Sequence, residues 1–283
     1  MTKKNKSAIQ RRLIPTYIFL IIVSFISVFP LYWMISAATN TSTDVSRGRI
    51  IPGSHFMENF RNLTSQQPLW RALGNSFFYA ILTTVICLLI CSIAGYGFEV
   101  YHDKWKDRVF SILLLAMMVP QVATMVPLFK MFSKAGLLNT AVGFILPIIS
   151  TPFMIMMFRQ NARSFPVDII EAARIDGLNE VRIFFQMFIP TMKSTYAAAA
   201  VITFMNAWNS YLWPKVIMTD NKAMTMPMLI ANLITGYVTD YGMLMCGVLF
   251  CSIPTMIVFF VLQKQFAAVS YTHLRAHETE LHL

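Results

Sequence analysis

The side chains best suited to chemistry fall in two short polar stretches set between long apolar runs. The first reads Glu171-Ala172-Ala173-Arg174-Ile175-Asp176-Gly177, and the second reads Asn206-Ala207-Trp208-Asn209-Ser210-Tyr211. Carboxylates beside small alanines suit close contact with another protein, whereas amides and aromatic rings suit hydrogen bonding to a polar solute and stacking on it. Neither stretch pairs a nucleophile with a base, so neither predicts catalysis.

The composition indicates that lipid surrounds most of the chain. The 283 residues are 56% hydrophobic and 13% charged, whereas an ordinary soluble domain is about 25% charged. Six apolar windows are long enough to cross about 30 Å of hydrocarbon as helices, and they cover residues 13–35, 73–98, 109–132, 138–158, 195–217 and 242–262. The sequence therefore predicts an all-α membrane protein with six transmembrane helices.

The distribution of positive charge predicts the orientation. Loops on the cytoplasmic side are enriched in lysine and arginine, and a cytoplasmic N-terminus with six crossings places most of the 23 lysines and arginines on that side. Both termini are therefore expected in the cytoplasm. The net charge of +10 does not indicate nucleic acid, because the cations are spread over loops that flank the membrane. The first apolar run is about twice the length of a signal-peptide core, which favours an uncleaved first span.

A short helix is expected at the first polar stretch. Pro166 suits its first turn and Gly177 its stop. Asp168 and Glu171 lie near its start, where carboxylates complement the positive end of the helix dipole. Three- and four-residue spacing places one set of side chains on a small apolar face with a carboxylate at its edge: Ile169, Ala172, Ala173 and Asp176.

A second short helix should follow. Asn179 can cap a helix that begins at Glu180, and Pro190 should break the chain before the fifth span. The apolar side chains expected to lie against the transmembrane helices are Val181, Phe184, Phe185 and Phe188.

The first helix of this loop has two possible partners. An amphipathic helix that rests on lipid headgroups normally carries Lys and Arg above large apolar residues. Instead of that pattern, this helix carries three carboxylates, one arginine and two alanines. The contrast favours docking onto a protein.

Together with Ile189-Pro190, the loop resembles the cytoplasmic loop of binding-protein-dependent ABC importer permeases. That signature runs Glu-Ala-Ala, three residues, Gly, and then about a dozen residues to a hydrophobic-Pro pair. The resemblance covers roughly residues 73–266 and implies the type I ABC importer permease fold. It also implies that the loop is a coupling helix that docks onto an ATP-binding subunit through the positions matching the motif: Glu171, Ala172, Ala173, Asp176, Gly177 and Leu178.

The energy source is expected to lie on another polypeptide. No Gly-x-x-x-x-Gly-Lys-Ser/Thr phosphate loop occurs in the chain, and the six windows contain no Asp or Glu to relay protons. No cofactor, metal site or catalytic residue is expected on this chain, and the resemblance implies that ATP and Mg bind to a partner ATPase. A self-sufficient ion-coupled secondary transporter remains the alternative, since backbone carbonyls can hold sodium.

The fifth window supplies the candidates for a translocation pathway. Asn206 and Asn209 share a helix face, and they either line a pathway or bridge helices. Trp208 and Tyr211 suit stacking on sugar rings or anchoring at the membrane interface, and for Trp213 the outer interface is expected. Gln121, next to Pro120, is a further pathway candidate. This window resembles the fifth span of carbohydrate-uptake permeases of the maltose, lactose and glycerol-phosphate type.

The resemblance therefore implies an inner-membrane permease subunit, not an enzyme, of an importer for sugars or oligosaccharides. Its expected partners are a second homologous permease, a dimer of ATP-binding subunits, an extracytoplasmic solute-binding protein and membrane lipid. Three regions are expected: an N-terminal region at 1–72, a permease domain at 73–266 with its coupling loop at 163–192, and a tail at 267–283. The tail contains three of the five histidines, and its change of character suggests a non-native extension.

Overall fold

The computed structural model of this chain describes residues 3–235 and 239–280, with the side chains of residues 14–235 and 239–261. Within these ranges every element of regular secondary structure is helical. The α-helices are α1 (Lys3–Ala38), α2 (Ser42–Ser46), α3 (Phe56–Gln66), α4 (Leu69–Val100), α5 (Lys104–Ala116), α6 (Gln121–Lys134), α7 (Ala141–Ile145), α8 (Pro152–Ala162), α9 (Val167–Ile175), α10 (Glu180–Ile183), α11 (Ile189–Thr191), α12 (Lys193–Trp208), α13 (Leu212–Ile217), α14 (Met226–Ile234) and α15 (Tyr241–Glu280). Two 3-10 turns and one π-helical turn connect some of them: Leu146–Ile148, Asn221–Ala223 and Phe184–Phe188.

The described residues confirm an all-α chain, and several of its helices are apolar enough to cross a membrane. Three continuous apolar segments are long enough to cross it, namely Ile14–Ala38, Leu69–Val100 and Tyr241–Val261, with 25, 32 and 21 residues. Two further crossings are possible if each of two bent helix pairs counts as one span. The fifth apolar window contains α12, which has only 16 residues, and then α13. The predicted count of six spans is not confirmed and stays a prediction.

Three of the predicted windows are broken rather than straight, and prolines explain two of the breaks. Helices α5 and α6 meet at 100°, and the segment 141–148 meets α8 at 51°. Pro120 precedes α6 and Pro152 opens α8. Proline has no N–H to donate and disfavours the helical conformation in the residue before it, so each marks the start of a new helix. In the fifth window the helix ends at Trp208 and resumes at Leu212.

The chain divides into two compact units. One unit comprises residues 1–69 and 230–252, and the other comprises residues 70–229 and 253–283. In the first unit, buried amides hold the connection between α1 and α3. The Asn59 amide donates hydrogen bonds to the carbonyls of Ala38 and Asn40, both at 2.9 Å. Gly242 lies so close to this pair that a Cβ there would be 2.7 Å from the Asn40 carbonyl oxygen.

In the second unit, α4 packs closely against α8. A Cβ on Gly95 would lie 2.6 Å from the Phe158 Cβ and 2.8 Å from the Arg159 backbone nitrogen, so the absence of a side chain at Gly95 permits this close packing. Phe158 is fully buried, in a cluster that includes the free thiols of Cys87 and Cys91. The second unit therefore depends on a helix contact that leaves no room for a side chain.

The close approach at Gly95 predicts a difference between two alanine substitutions on the same helix. Gly95→Ala should lower the thermal unfolding temperature of the purified protein in detergent, because overpacking a tight contact costs about 1–3 kcal/mol. Gly97→Ala is the matched control, since nothing lies within 4 Å of a Cβ there, and alanine favours a helix. Equal unfolding temperatures for the two variants would contradict the close packing.

Candidate functional site

Helix α9 forms the first half of the loop between α8 and α12, and its ends are where the sequence predicts them. Pro166 precedes its first residue. Gly177 has a φ of +80°, a left-handed conformation that glycine adopts without strain. The Leu178 N–H then donates to the Ala173 carbonyl at 3.0 Å and closes the last turn. Because both ends have a specific backbone geometry, the helix has a defined length and direction.

One face of α9 is buried within this chain. Ile170 and Ala173 are 2% and 1% exposed. They belong to an apolar cluster, here called the anchoring cluster, formed by Tyr96, Ala162, Phe165, Ile170, Ala173, Ile183, Phe184, Phe188 and Met192. The placement of Ala173 on the same outward face as Ala172 was therefore wrong. Its small side chain brings α9 close to its own chain, so Ala173 is not available to a partner.

The opposite face of α9 is open to solvent. Glu171, Ala172, Ile175 and Asp176, here called the docking surface, are all exposed. Ile175 is 86% exposed, and sequence reasoning did not single it out. Gly177 is exposed and Leu178 is half-buried beside this surface. Of the motif positions, Ala173 therefore belongs to the anchoring cluster, whereas Glu171, Ala172 and Asp176 belong to the exposed docking surface.

The second half of the loop differs from the expected pattern. Phe184 and Phe188 are buried as predicted, but Val181 and Phe185 are 63% and 49% exposed, so their expected packing was wrong. Ile183 is fully buried in their place. Phe185 lies in the π-helical turn at Phe184–Phe188, and a π turn changes the angular spacing of the side chains from that of an α-helix.

Polar contacts join the two halves of the loop. The predicted cap is confirmed, because the Asn179 side-chain Oδ1 accepts from the Arg182 backbone N–H at 2.9 Å. The Arg174 Nε lies 2.7 Å from the Glu180 Oε1. This guanidinium lowers the pKa of Glu180, with a further contribution from the Tyr101 hydroxyl. Tyr101 follows α4, so the pair also connects the loop to the end of that helix.

A buried arginine joins the helix ends that lead toward the loop. Arg159 on α8 is 5% exposed. Its Nε lies 3.1 Å from the Glu99 Oε2 and its Nη2 lies 2.6 Å from the Asp107 Oδ1. The guanidinium also lies over the Phe110 ring, 4.3 Å from its centre. Ends of α4, α5 and α8 are thereby linked through one side chain.

The second unit also contains a polar cavity of about 760 Å³. It lies where α4 faces the breaks between α5 and α6, before α8, and between α12 and α13. Four of the five predicted pathway residues line it: Gln121, Asn206, Asn209 and Tyr211. Sequence reasoning missed the hydroxyl groups that share this wall, which come from Thr83, Thr124, Thr151, Thr203 and Ser210. The coincidence of three helix breaks was the signal that would have found them.

Two tryptophans differ from expectation. Trp208 does not line the cavity. It is 1% exposed and packs edge-on against Phe77 at 4.8 Å. Trp213 does line the cavity and is 4% exposed, so its expected place at the outer interface was wrong. Its indole N–H donates to the Gly143 carbonyl at 3.1 Å, and this internal partner removes the need for an interfacial one.

The ion pair in the loop predicts a response to acid. Since Arg174 depresses the folded-state pKa of Glu180 below its ordinary value of 4.5, the stabilisation is complete above that value and is lost as pH falls through the depressed pKa. A spin label at Arg182→Cys should gain mobility as the pH falls below 4.5 and through the depressed pKa of Glu180. Glu180→Gln should show the mobile spectrum already at pH 7, whereas the control Asp168→Asn should respond to pH like the parent. An unchanged spectrum for Glu180→Gln at pH 7 would contradict the assignment.

Comparisons with known proteins agree with this architecture. The family model described as "Binding-protein-dependent transport system inner membrane component" matches residues 88–268. The lactose transport system permease protein LacG of Rhizobium radiobacter is 40% identical over 262 residues, which cover 92% of this chain and 96% of the relative. The arabinooligosaccharides transport system permease protein AraQ of Halalkalibacterium halodurans is 36% identical over 251 residues, covering 87% and 90%.

A more distant relative and a solved structure extend the likeness. The sn-glycerol-3-phosphate transport system permease protein UgpE of Escherichia coli is 31% identical over 248 residues, covering 84% of this chain and 88% of the relative. The fold is similar to that in the crystal structure of a bacterial ABC transporter that imports the acidic polysaccharide alginate, with a TM-score of 0.78, 20% identity, and coverage of 93% and 98%.

These likenesses extend over most of the chain, and the range matched by the family model contains the residues of the loop and most of those that line the cavity. The protein is therefore a transport permease and not an enzyme, and it belongs to the family of inner-membrane components of binding-protein-dependent transport systems.

Proposed function

We propose that this permease carries sugars or oligosaccharides and that its coupling loop, residues 163–192, docks onto a separate ATPase that binds ATP and Mg. The observation that carries the proposal is the two-sided character of α9. Ile170 and Ala173 hold the helix against its own chain through the buried face. Glu171, Ala172 and Ile175 lie on the exposed face. A helix held on one side and free on the other can pass force from a partner to the chain that holds it.

The chemistry of the docking surface supports a protein partner. Ile175 exposes 86% of its surface to water, and covering such a side chain contributes about 1.5–3 kcal/mol. Ala172 allows a partner to approach closely, and the carboxylates of Glu171 and Asp176 offer acceptors at the edge of the contact. Lipid headgroups would favour Lys and Arg at these positions.

A rocking mechanism follows from this attachment. ATP-driven closure of the partner would displace α9, and the anchoring cluster would move Tyr96 at the end of α4 with it. The Arg159 network would carry the displacement to α5 and α8. The helices would then alternate between two arrangements that open the cavity to opposite sides, a two-state element biased by a ligand bound elsewhere. Family membership favours this imported energy over an ion-coupled carrier.

The remaining parts of the transporter follow from the family. We infer a second homologous permease, a dimer of ATP-binding subunits, an extracytoplasmic solute-binding protein, and both termini of this chain in the cytoplasm. The loop then lies on the same side as ATP. The solute class rests on relatives whose names refer to lactose and arabinooligosaccharides, and glycerol phosphate is the competing class.

The docking surface predicts which substitutions uncouple the ATPase. Glu171→Lys and Ala172→Arg should each reduce co-purification of the ATPase at least tenfold, because they place a cation and a long side chain in the contact. Glu58→Lys reverses an exposed carboxylate of α3, outside the loop, and is the matched control. The readout is the ratio of ATPase to permease in detergent-solubilised membranes.

All three variants should reach the membrane at the parent level, because none of the substituted side chains is buried. Full co-purification with Glu171→Lys and Ala172→Arg would refute docking at this surface. A cysteine at Ala172 should also crosslink to the ATPase in native vesicles.

A further inference from the structure

We propose that the cavity of this chain is itself a binding site for an uncharged, hydroxyl-rich solute. The inference rests on the proposed function and deepens it, because it assigns direct solute contact to this subunit and separates a neutral sugar from an anionic solute. Among the described residues, three features of the wall carry it: a hydroxyl without a hydrogen-bond partner, helix N-termini without side-chain caps, and a lining without formal charge.

The unpartnered hydroxyl belongs to Thr83 on α4. The residue is 1% exposed, lines the cavity, and its Oγ1 has no hydrogen-bond partner among the described residues. A buried polar group without a hydrogen-bond partner is unfavourable. Its neighbour Thr84 shows the usual solution, since that hydroxyl donates to the Ala80 carbonyl at 2.7 Å. Thr83 therefore has an unused hydrogen-bonding capacity that a solute hydroxyl in the cavity can satisfy.

Two helices begin at the cavity wall, and no side chain caps the N–H groups of their first turns. Helix α6 starts at Gln121 after Pro120, and α8 starts at Pro152 after Thr151, and no side chain caps either end. Gln121, Thr151 and Pro152 all line the cavity. Uncapped N–H groups at the ends of broken membrane helices donate hydrogen bonds to oxygen atoms of bound solutes.

Two side-chain amides add further hydrogen-bonding groups to the cavity wall. Asn206 and Asn209 are both exposed at the cavity wall, and each amide has donors and an acceptor. Sugar hydroxyls also donate and accept at once, so they match amides and hydroxyls in any combination. The half-buried ring of Tyr211 lies in the same wall and offers an apolar face to a sugar ring.

The wall contributed by this chain contains no Lys, Arg, His, Asp or Glu among its described lining residues. An anion moved out of water without a counter-charge is strongly disfavoured, and protein sites for carboxylate or phosphate usually supply Arg or Lys. The volume of about 760 Å³ falls in the range of roughly 300–1,000 Å³ that small-molecule sites occupy. The volume of the cavity is therefore large enough for one end of an oligosaccharide, and its uncharged lining favours a neutral solute over an anionic one.

The test uses the whole transporter, with this chain, its second permease, the ATPase and the binding protein reconstituted in liposomes. ATP-dependent uptake is measured for two neutral probes, lactose and an arabino-oligosaccharide, and for two anionic probes, sn-glycerol 3-phosphate and an alginate oligosaccharide. We expect uptake of a neutral probe and none of the anionic probes.

The site is then tested with the transported probe. Thr83→Val and Asn206→Ala should each lower the uptake rate at saturating binding protein at least threefold, while ATPase co-purification stays at the parent level. Thr84→Val removes a hydroxyl from the adjacent position outside the lining and should leave uptake unchanged. Equal uptake by Thr83→Val, Asn206→Ala and the parent would overturn the site and leave the permease function standing.

The other outcomes are equally distinct. Uptake of an anionic probe would overturn the neutral solute class while the importer assignment survives. Uptake of none of the four probes, together with loss of ATPase co-purification from the parent protein, would refute the proposed function and this inference with it. Uptake of none with the ATPase still bound would overturn the solute class alone.

Discussion

The attachment of α9 to its own chain is the contact on which the coupling account depends. Ala173 and Ile170 pack into a cluster of aromatic rings, where Phe184 and Phe188 stack with their centres 5.5 Å apart and Tyr96 meets Phe188 at 4.9 Å. Aromatic side chains bury a large area at little conformational cost. The buried face of α9 packs against this anchoring cluster. The orientation of the docking surface is therefore set by the end of α4 rather than by a flexible loop.

Polar contacts extend the same attachment. The Arg174–Glu180 pair joins the two halves of the loop, and the Arg159 network joins ends of α4, α5 and α8. Exposed pairs such as the first contribute little to stability on their own. Their value here is geometric, since they fix the direction in which a displacement of α9 would pass to the helices. The buried Arg159 pairs are harder to break, because removing one partner leaves a charge without compensation.

Broken helices explain how an apolar chain encloses a polar cavity. Lipid cannot satisfy free N–H and C=O groups, so irregular backbone at membrane depth is tolerated only where it is buried or lines a water-filled space. The breaks at Pro120, before Pro152 and after Trp208 all open onto the cavity. Several of the polar residues that line the cavity, such as Gln121, Thr151 and Asn209, lie at those breaks, where the exposed backbone also needs partners.

Local rules predicted the ends of elements well, because Pro166, Gly177 and Asn179 act through their own backbone geometry. The same reasoning failed on side-chain direction. Assigning Ala173 to the outward face required knowing which side of α9 the rest of the chain covers. The π turn that contains Phe185 was not predicted from the sequence either.

The residues that line the cavity could also be predicted only in part from the sequence. Gln121 and Asn206 were identifiable as polar residues in apolar windows, and both line it. The hydroxyls of Thr83 and Thr203 were not, because a threonine in a membrane helix usually bonds its own backbone. Trp213 was misplaced for a related reason, since the Gly143 carbonyl that its indole finds lies 70 residues away in sequence.

The central claim is that α9 and the helix ends behind it move as one body. Double electron–electron resonance between spin labels at Lys104→Cys and Arg182→Cys, in the assembled transporter with and without trapped ATP, tests it directly. The account predicts that this distance stays constant to within a few Å while a pair at Met118→Cys and Leu212→Cys, beside the cavity, changes. A loop distance that shifts with ATP while the cavity pair stays fixed would contradict it.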